Sequence, residues 1–485
     1  CDPRNKKHKK NDNKNTMVMN WEVEGDSGLH AALSYDAVSS AGPAARPLEF
    51  PNPTVHRGAR QTIPALDHRT GRIHSISNVL MRVRNPSMGS TAEPVNKAYL
   101  IKKKLCKSIY GVIRLCVVLR RREIPAIHPD PMLRRRPRNP GMIRDQDVEW
   151  ESTEELCVIK VSAWAKMRQL RGRHLEDPIK EIAAMQLVGN YHPNVLGSLE
   201  VLQDDEYLYT VMPYCSGGDL FGRIMGTDPS RPDSLLSDRT FDQAGMQVDE
   251  NQARIWFRQL LSVSQPRALV AAMFLHVLTT ARSFIQGLFQ LQRKGVCHRD
   301  ISLENLMVDE EDQLKIIDLG MSLRVPYVDP CNPDGATDVS EGTERRLMVA
   351  QGQGGKLMYM APEVVSRDDV FDGFAVDLWA AGVVLFVMLV GLAPFKWAHE
   401  SDKRYAKISK GNLKELMGGL KIGLSDEACD LLQNMFWHDP RKRFTLAQVM
   451  QHPWVLNKKF SMPRPAPKSA HVHKPQSWYR GILQA

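Results

Sequence analysis

Three short runs constrain this chain more than any other feature of it: His298-Arg299-Asp300-Ile301-Ser302-Leu303-Glu304-Asn305, then Asp318-Leu319-Gly320, then Ala361-Pro362-Glu363. In that order they supply a carboxylate able to accept a proton, an amide and a second carboxylate with hard oxygen ligands for a divalent cation, and the end of a long intervening loop. Any fold that serves this chemistry has to gather Asp300, Asn305 and Asp318 at one place.

The length of 485 residues is enough for a large catalytic domain with appendages, and 42% hydrophobic with 25% charged residues is ordinary for a globular chain. Against 55 acidic residues stand 65 basic ones, a net charge of +10. Much of the excess is local, in Lys6, Lys7, Lys9 and Lys10 and again from Arg120 to Arg138. Such clusters are solvated charge runs unless aromatic residues interleave with them, and none do, so no specific nucleic-acid partner is expected. Eight cysteines lie scattered without a C-x-x-C pair, which reads as reduced thiols in an intracellular protein of the cytoplasm or nucleus. No run of about 18 or more apolar residues offers a transmembrane segment, and oligomeric state is left open. The chain starts at Cys1, with Met17 and Met19 as candidate starts.

Residues 1–97 mix Pro, Gly, Ser and charge and are expected to form a disordered leader; residues 457–485 read as a C-terminal tail. Between them, Leu100-Ile101, Val112–Leu119, Cys157–Val161 and Tyr207–Met212 have strand character. Pro178 opens a helix through Leu187, and helical patterns recur at Ala253–Ser262, Gly287–Arg293, Ala375–Val390 and Asp426–Phe436.

Together these runs resemble the eukaryotic protein kinases, and within them the serine/threonine kinases of the calmodulin-dependent kinase-like group, which His452-Pro453-Trp454 also matches. The resemblance implies an α+β, two-lobed protein-kinase fold over residues 98–456: a small antiparallel sheet plus one helix (98–212), a hinge (213–216), then a mainly helical lobe (217–456). It implies transfer of the γ-phosphoryl group of ATP to protein hydroxyls with Mg²⁺. Asp300 would accept the hydroxyl proton, and Asn305 and Asp318 would hold Mg²⁺. Lys160 would reach the phosphates, with Glu181 as its ion-pair partner. Met212, Tyr214 and Cys215 would read adenine at the gatekeeper and hinge, Ile101, Ile113, Val158 and Met307 would enclose it, and Ser108 and Gly111 would lie in the phosphate flap. Asp219 and Glu304 match carboxylates that face arginines in basic-directed relatives, although Val387 replaces a third acid. Arg299 would bind a phosphorylated loop residue, with Thr337, Ser340 and Thr343 as candidates. Glu363 with Arg443, and Asp377 in the helix bracing the catalytic loop, would be scaffold.

The chain also departs from the pattern. Cys106-Lys107-Ser108-Ile109-Tyr110-Gly111 keeps only the third glycine of the phosphate flap, which motivates the competing reading of a pseudokinase or nucleotide-binding scaffold with weak or no catalysis. Insertions are expected at about 120–147, 222–250 and 263–286. The last splits what reads as one buried helix, either as a real loop or as an intron kept in frame, since its ends can be encoded by splice-site triplets. Finally, the family places a lysine two residues after the catalytic Asp and a threonine ahead of the Ala-Pro-Glu run; here these positions hold Ser302 and Lys356. The expectation is an exchange, in which Lys356 supplies the γ-phosphate cation and Ser302 a hydrogen bond to Asp300.

Overall fold

The computed structural model describes residues 35, 38–39, 44–67, 71–83, 96–121, 150–190, 192–225, 248–261, 287–329, 332–336 and 344–456. Seven strands close into a barrel: β1 (His56–Asp67), β2 (Ile73–Arg82), β3 (Lys97–Lys107), β4 (Gly111–Arg121), β5 (Trp150–Ala163), β6 (Glu200–Gln203) and β7 (Tyr207–Pro213), in the order β1-β2-β3-β4-β5-β7-β6. Neighbours are antiparallel except at the closure, where β1 runs parallel to β6 (His56 opposite Leu202) and to the start of β5 (Ala65 opposite Trp150). Alternation puts apolar residues on both strand faces: Tyr99 and Ile101 pack with Leu80, Cys116 and Cys157, whereas Ala98 and Leu100 pack with Val79, Val117 and Leu119.

The expectation of a structureless leader through residue 97 is corrected over 44–67 and 71–83. Its two long strands carry Arg60, Gln61, Thr62 and Pro64 among few apolar positions, and Pro64 follows a register shift between Gln61 and Ile63. A strand with one wet face and an irregular rung shows little period-2 signal. What fixes it is tertiary. Ile63 and Ala65 enter the core, and the Arg60 guanidinium lies over the rings of Tyr207 and Tyr209 while donating to the Tyr209 hydroxyl at 3.0 Å.

Helix α1 (Pro178–Val188) crosses beside the barrel, started by Pro178 and by the Asp177 carboxylate accepting from the Ile179 N–H at 2.8 Å. The rest is mainly helical: α2 (Glu250–Leu261), α3 (Gly287–Arg293), α4 (Gly373–Val390) and α5 (Asp426–Met435), with a hairpin of β8 (Leu306–Val308) and β9 (Leu314–Ile316) bearing the polar runs. Helix α4 has the length and composition of a membrane span, yet all 18 of its residues are buried inside the protein. It is a core helix and includes Val387. Residues 262–286, which hold the third expected insertion, lie outside the described residues, as do 122–149, 226–247, Thr337, Ser340 and Thr343. The two helix halves nonetheless meet: a Cβ on Gly287 would stand 2.5 Å from the Leu260 carbonyl oxygen.

Candidate active site

The polar runs are gathered by backbone geometry that only a surrounding scaffold maintains. Arg299 and Asp318 both adopt left-handed φ values, 67° and 63°, each a strain of order 1–3 kcal/mol. The Asp377 carboxylate, buried on α4, accepts from the N–H groups of His298 and Arg299 at 2.7 and 2.8 Å and so holds the loop in that shape. Burial pushes the Asp377 carboxyl up to about 6, against the pull of His298 and those two N–H donors. His298 accepts from the Asp300 N–H through Nδ1 at 3.2 Å, which leaves Nε2 to donate to the Ile317 carbonyl at 2.9 Å. One imidazole thereby ties the Asp300 loop to the strand leading into Asp318.

Asn305 donates its side-chain N–H to the Asp300 carboxylate at 2.7 Å, which turns the Asn305 oxygen away from Asp300 and free to ligate a cation. The other Asp300 oxygen is buried without a hydrogen-bond partner among the described residues. Burial raises the Asp300 pKa above the ordinary carboxylate value, and Lys356 is the strongest influence lowering it. An unsatisfied, desolvated carboxylate oxygen in a cleft is the chemistry expected of a proton acceptor waiting for a hydroxyl.

Across the cleft, Lys160 on β5 contacts Glu181 on α1 at 2.7 Å and lies 4.0 Å from Asp318. Burial draws the ammonium pKa down, but the Glu181 and Asp318 carboxylates outweigh it and hold Lys160 charged. Val158 lies two residues before Lys160 on the same strand face, Ile113 pairs opposite Lys160, and Met307 packs from below; all three are half-buried. At the hinge, Met212 is buried, and the backbone of Cys215 makes no hydrogen bond to the described residues. Ser108 Oγ is likewise buried without a partner among them. An adenine edge and a phosphate oxygen would satisfy these groups. No group of three or more His, Cys, Asp or Glu able to hold a metal occurs among the described residues. As hard oxygen donors, Asn305 and Asp318 would suit Mg²⁺, which takes few protein oxygens and completes its shell with other oxygen ligands.

Three expectations change. Ile101 is buried in the barrel among Tyr99, Cys116 and Cys157 and cannot touch a nucleotide in the cleft; register shifts on either side of Lys104 offset β3 from the flap. Ser302, fully buried, makes no bond to Asp300. It accepts from the Lys356 ammonium at 2.8 Å, and the same ammonium donates to Glu304 at 3.0 Å. Glu304 is thus already paired, and Asp219 spends one oxygen capping the Gly222 N–H at 2.6 Å. The flap is also tighter than a phosphate loop: Ser108 and Gly111 exchange backbone bonds around Ile109 and Tyr110. Gly111 is retained because a Cβ there would lie 1.9 Å from the Val161 carbonyl oxygen. Arg299 donates to the Gly352 carbonyl at 3.1 Å and lies over the Phe371 ring.

Sequence reasoning passed over Tyr110. Its hydroxyl donates to the Glu176 carbonyl at 2.6 Å and latches the flap to the segment entering α1; an aromatic residue at the tip of a glycine-poor flap is the only signal it left. Away from the cleft, Arg443 grips Glu363 with two bonds of 2.8 and 2.6 Å under the ring of Trp379.

Residues 269–455 match the family model described as the protein kinase domain. CBL-interacting protein kinase 16 of Oryza sativa subsp. japonica is 31% identical over 312 residues, 64% of this chain and 53% of that protein. Over these spans the chain is similar to eukaryotic serine/threonine protein kinases. CBL-interacting serine/threonine-protein kinase 15 of Arabidopsis thaliana is 30% identical over 289 residues (60% and 52%), and calcium-dependent protein kinase 29 of the same plant 29% over 301 residues (61% and 44%). The chain spans about half the length of the curated relatives it matches.

Proposed function

We propose that this chain is an ATP-dependent serine/threonine protein kinase acting on protein substrates inside the cell. The observation that carries the reading is the convergence of Asp300, Asn305 and Asp318 below a cleft whose opposite wall presents the charged Lys160–Glu181 pair. Phosphoryl transfer asks for little covalent help from protein, so positioning and charge neutralisation are what such residues contribute. Asp300 orients the substrate hydroxyl and takes its proton; Lys160 neutralises phosphate charge; Asn305 and Asp318 would hold Mg²⁺, which supplies Lewis-acid stabilisation of the transferring group. In this reading residues 98–212 and 217–456 are the two lobes, and ATP binds at the hinge 213–216 beneath Ile113 and Val158 and above Met307.

A basic-directed preference rests on Asp219 and Glu304. A substrate arginine would compete with Lys356 for Glu304, so the preference is weaker than in a kinase whose carboxylates are free. Regulation is proposed through Arg299 and phosphorylation at Thr337, Ser340 or Thr343. The flap, held by a tight turn in place of the two missing glycines, supports a second reading: a nucleotide-binding scaffold with weak or no catalysis.

Purified chain incubated with Mg²⁺ and labelled ATP separates the two. We expect transfer to serine and threonine of basic peptides, abolished in Asp300→Asn, Asp318→Asn and Lys160→Met with little change in melting temperature. Wild-type protein that binds ATP but transfers nothing would establish the scaffold instead.

A further inference from the structure

The chain ahead of β1 does more than lead into the barrel. Ala45 donates to the Leu347 carbonyl and accepts from the Val349 N–H, both at 3.0 Å, and Leu48 donates to the Arg324 carbonyl at 3.1 Å. Further upstream, Val38 and Ser39 run parallel to Arg345 and Arg346. This stretch therefore adds itself as an edge to the segment that follows Asp318, in the manner of strand augmentation. Ten residues after Val38-Ser39 the chain turns toward α1. Phe50 and Val55 pack against the main core, and Thr54 forms a reciprocal pair with Gln186: its N–H donates to the Gln186 side-chain oxygen at 2.7 Å, and its carbonyl accepts from the Gln186 side-chain nitrogen at 2.9 Å. Val55 then leads directly into β1.

The sequence suits a stiff tie. Pro47, Pro51 and Pro53 pre-extend the backbone, while the residues that donate, Ala45, Leu48 and Thr54, all keep their N–H. Gln186 lies five residues after Glu181, about 140° round the helix. Lys160 thus grips the cleft-facing side of α1 while the strap grips its outer side.

We propose that residues 44–55 form an activating strap in cis, whose binding surface is the edge of the activation segment at one end and Gln186 of α1 at the other. By joining these two elements the strap holds Glu181 on Lys160 in addition to any ordering that a phosphorylated loop residue supplies. This regulatory role rests on the kinase reading for its activity readout, but its mechanical part does not.

The test uses the full chain. Gln186→Leu removes both bonds at the helix end from a half-exposed position. Ala45→Pro with Leu48→Pro removes two donors at the far end and touches nothing on α1. Hydrogen exchange is read at α1 and β5, alongside turnover before and after phosphatase treatment. Each variant is expected to speed exchange in α1 roughly tenfold, the scale of losing one or two net hydrogen bonds, with β5 unchanged. The combination should be no worse than the stronger single variant, because either break opens the same tie. Phosphatase should lower wild-type turnover only in part, whereas that of the variants should fall to background. Unchanged α1 exchange in the Ala45/Leu48 variant would overturn the strap, since only a continuous tie carries a break at residues 45 and 48 to α1. Wild-type protein without phosphotransfer would refute the kinase reading and leave the exchange result to judge the strap by itself.

Discussion

At Lys356 a single ammonium serves two acceptors, Ser302 and Glu304, while its charge pulls down the pKa of Asp300. Removing it has a signed consequence. Burial already raises the Asp300 pKa, and without Lys356 it rises further, so the carboxylate stays protonated to higher pH. Lys356→Met should therefore move the acid limb of the kcat/KM profile upward in addition to lowering turnover by ~10²-fold, the scale of one preorganised transition-state donor. A profile that loses height without moving would mean that Lys356 acts on phosphate alone. The grouping of the candidate site was legible in the sequence because the resemblance fixes both residue type and order: Asp300, Asn305, Asp318, Lys160 and Glu181 stand together in the structure. Ile101 was not, because a strand with two register shifts cannot be counted forward from its apolar residues. The partner of Ser302 was not legible either, since the reach of a four-carbon lysine stem is settled only in three dimensions.

Among elements, the helices were read to within a few residues, while β3 and β5 extend well beyond the short runs that marked them; β1 and β2 were missed because their burial depends on partners far along the chain. The flap shows the opposite case, where a conspicuous residue was read for the wrong reason. Gly111 is needed for close packing on the Val161 carbonyl. We expect Gly111→Ala to cost about 1–3 kcal/mol, the range for overpacking, by thermal or denaturant unfolding. A phosphate-contact role alone would leave stability unchanged and raise only the KM for ATP. Tyr110→Phe should do that second thing: with the 2.6 Å latch to Glu176 lost, the flap opens more often and the KM for ATP rises several-fold while the melting temperature holds. The junction of α2 and α3 belongs here too. A chain lacking residues 263–286 joins Ser262 to Gly287 at the place where the two helices already abut, so it should fold and melt no lower than the full chain. A lower melting temperature would show that the insertion contributes contacts of its own.

At the scale of the molecule, Glu363–Arg443 at 2.6 Å and Arg345–Asp372 at 2.9 Å are ion pairs whose side chains are almost fully shielded, and the first is the shorter. Removing one partner strands the other, and Arg443→Ala should cost ~3–5 kcal/mol while leaving the protonation of Asp300 unaltered. Calorimetry paired with a pH–rate profile separates this global loss from a local one. The order of strands first and helices after was readable from the switch between strand and helical periods. Closure of the sheet into a barrel was not, because it depends on a hairpin that is largely polar on its outside.

The abutting helices carry one more consequence. Arg121 and Trp150 are opposite one another on the ladder, and Leu260 adjoins Gly287 at the helix junction, so at each place positions far apart in sequence stand side by side across a narrow gap. Such a gap is a socket: any guest domain whose termini lie side by side can be seated there without prising the host apart, and a guest that stiffens on binding its own ligand would pull directly on the helix leading to His298.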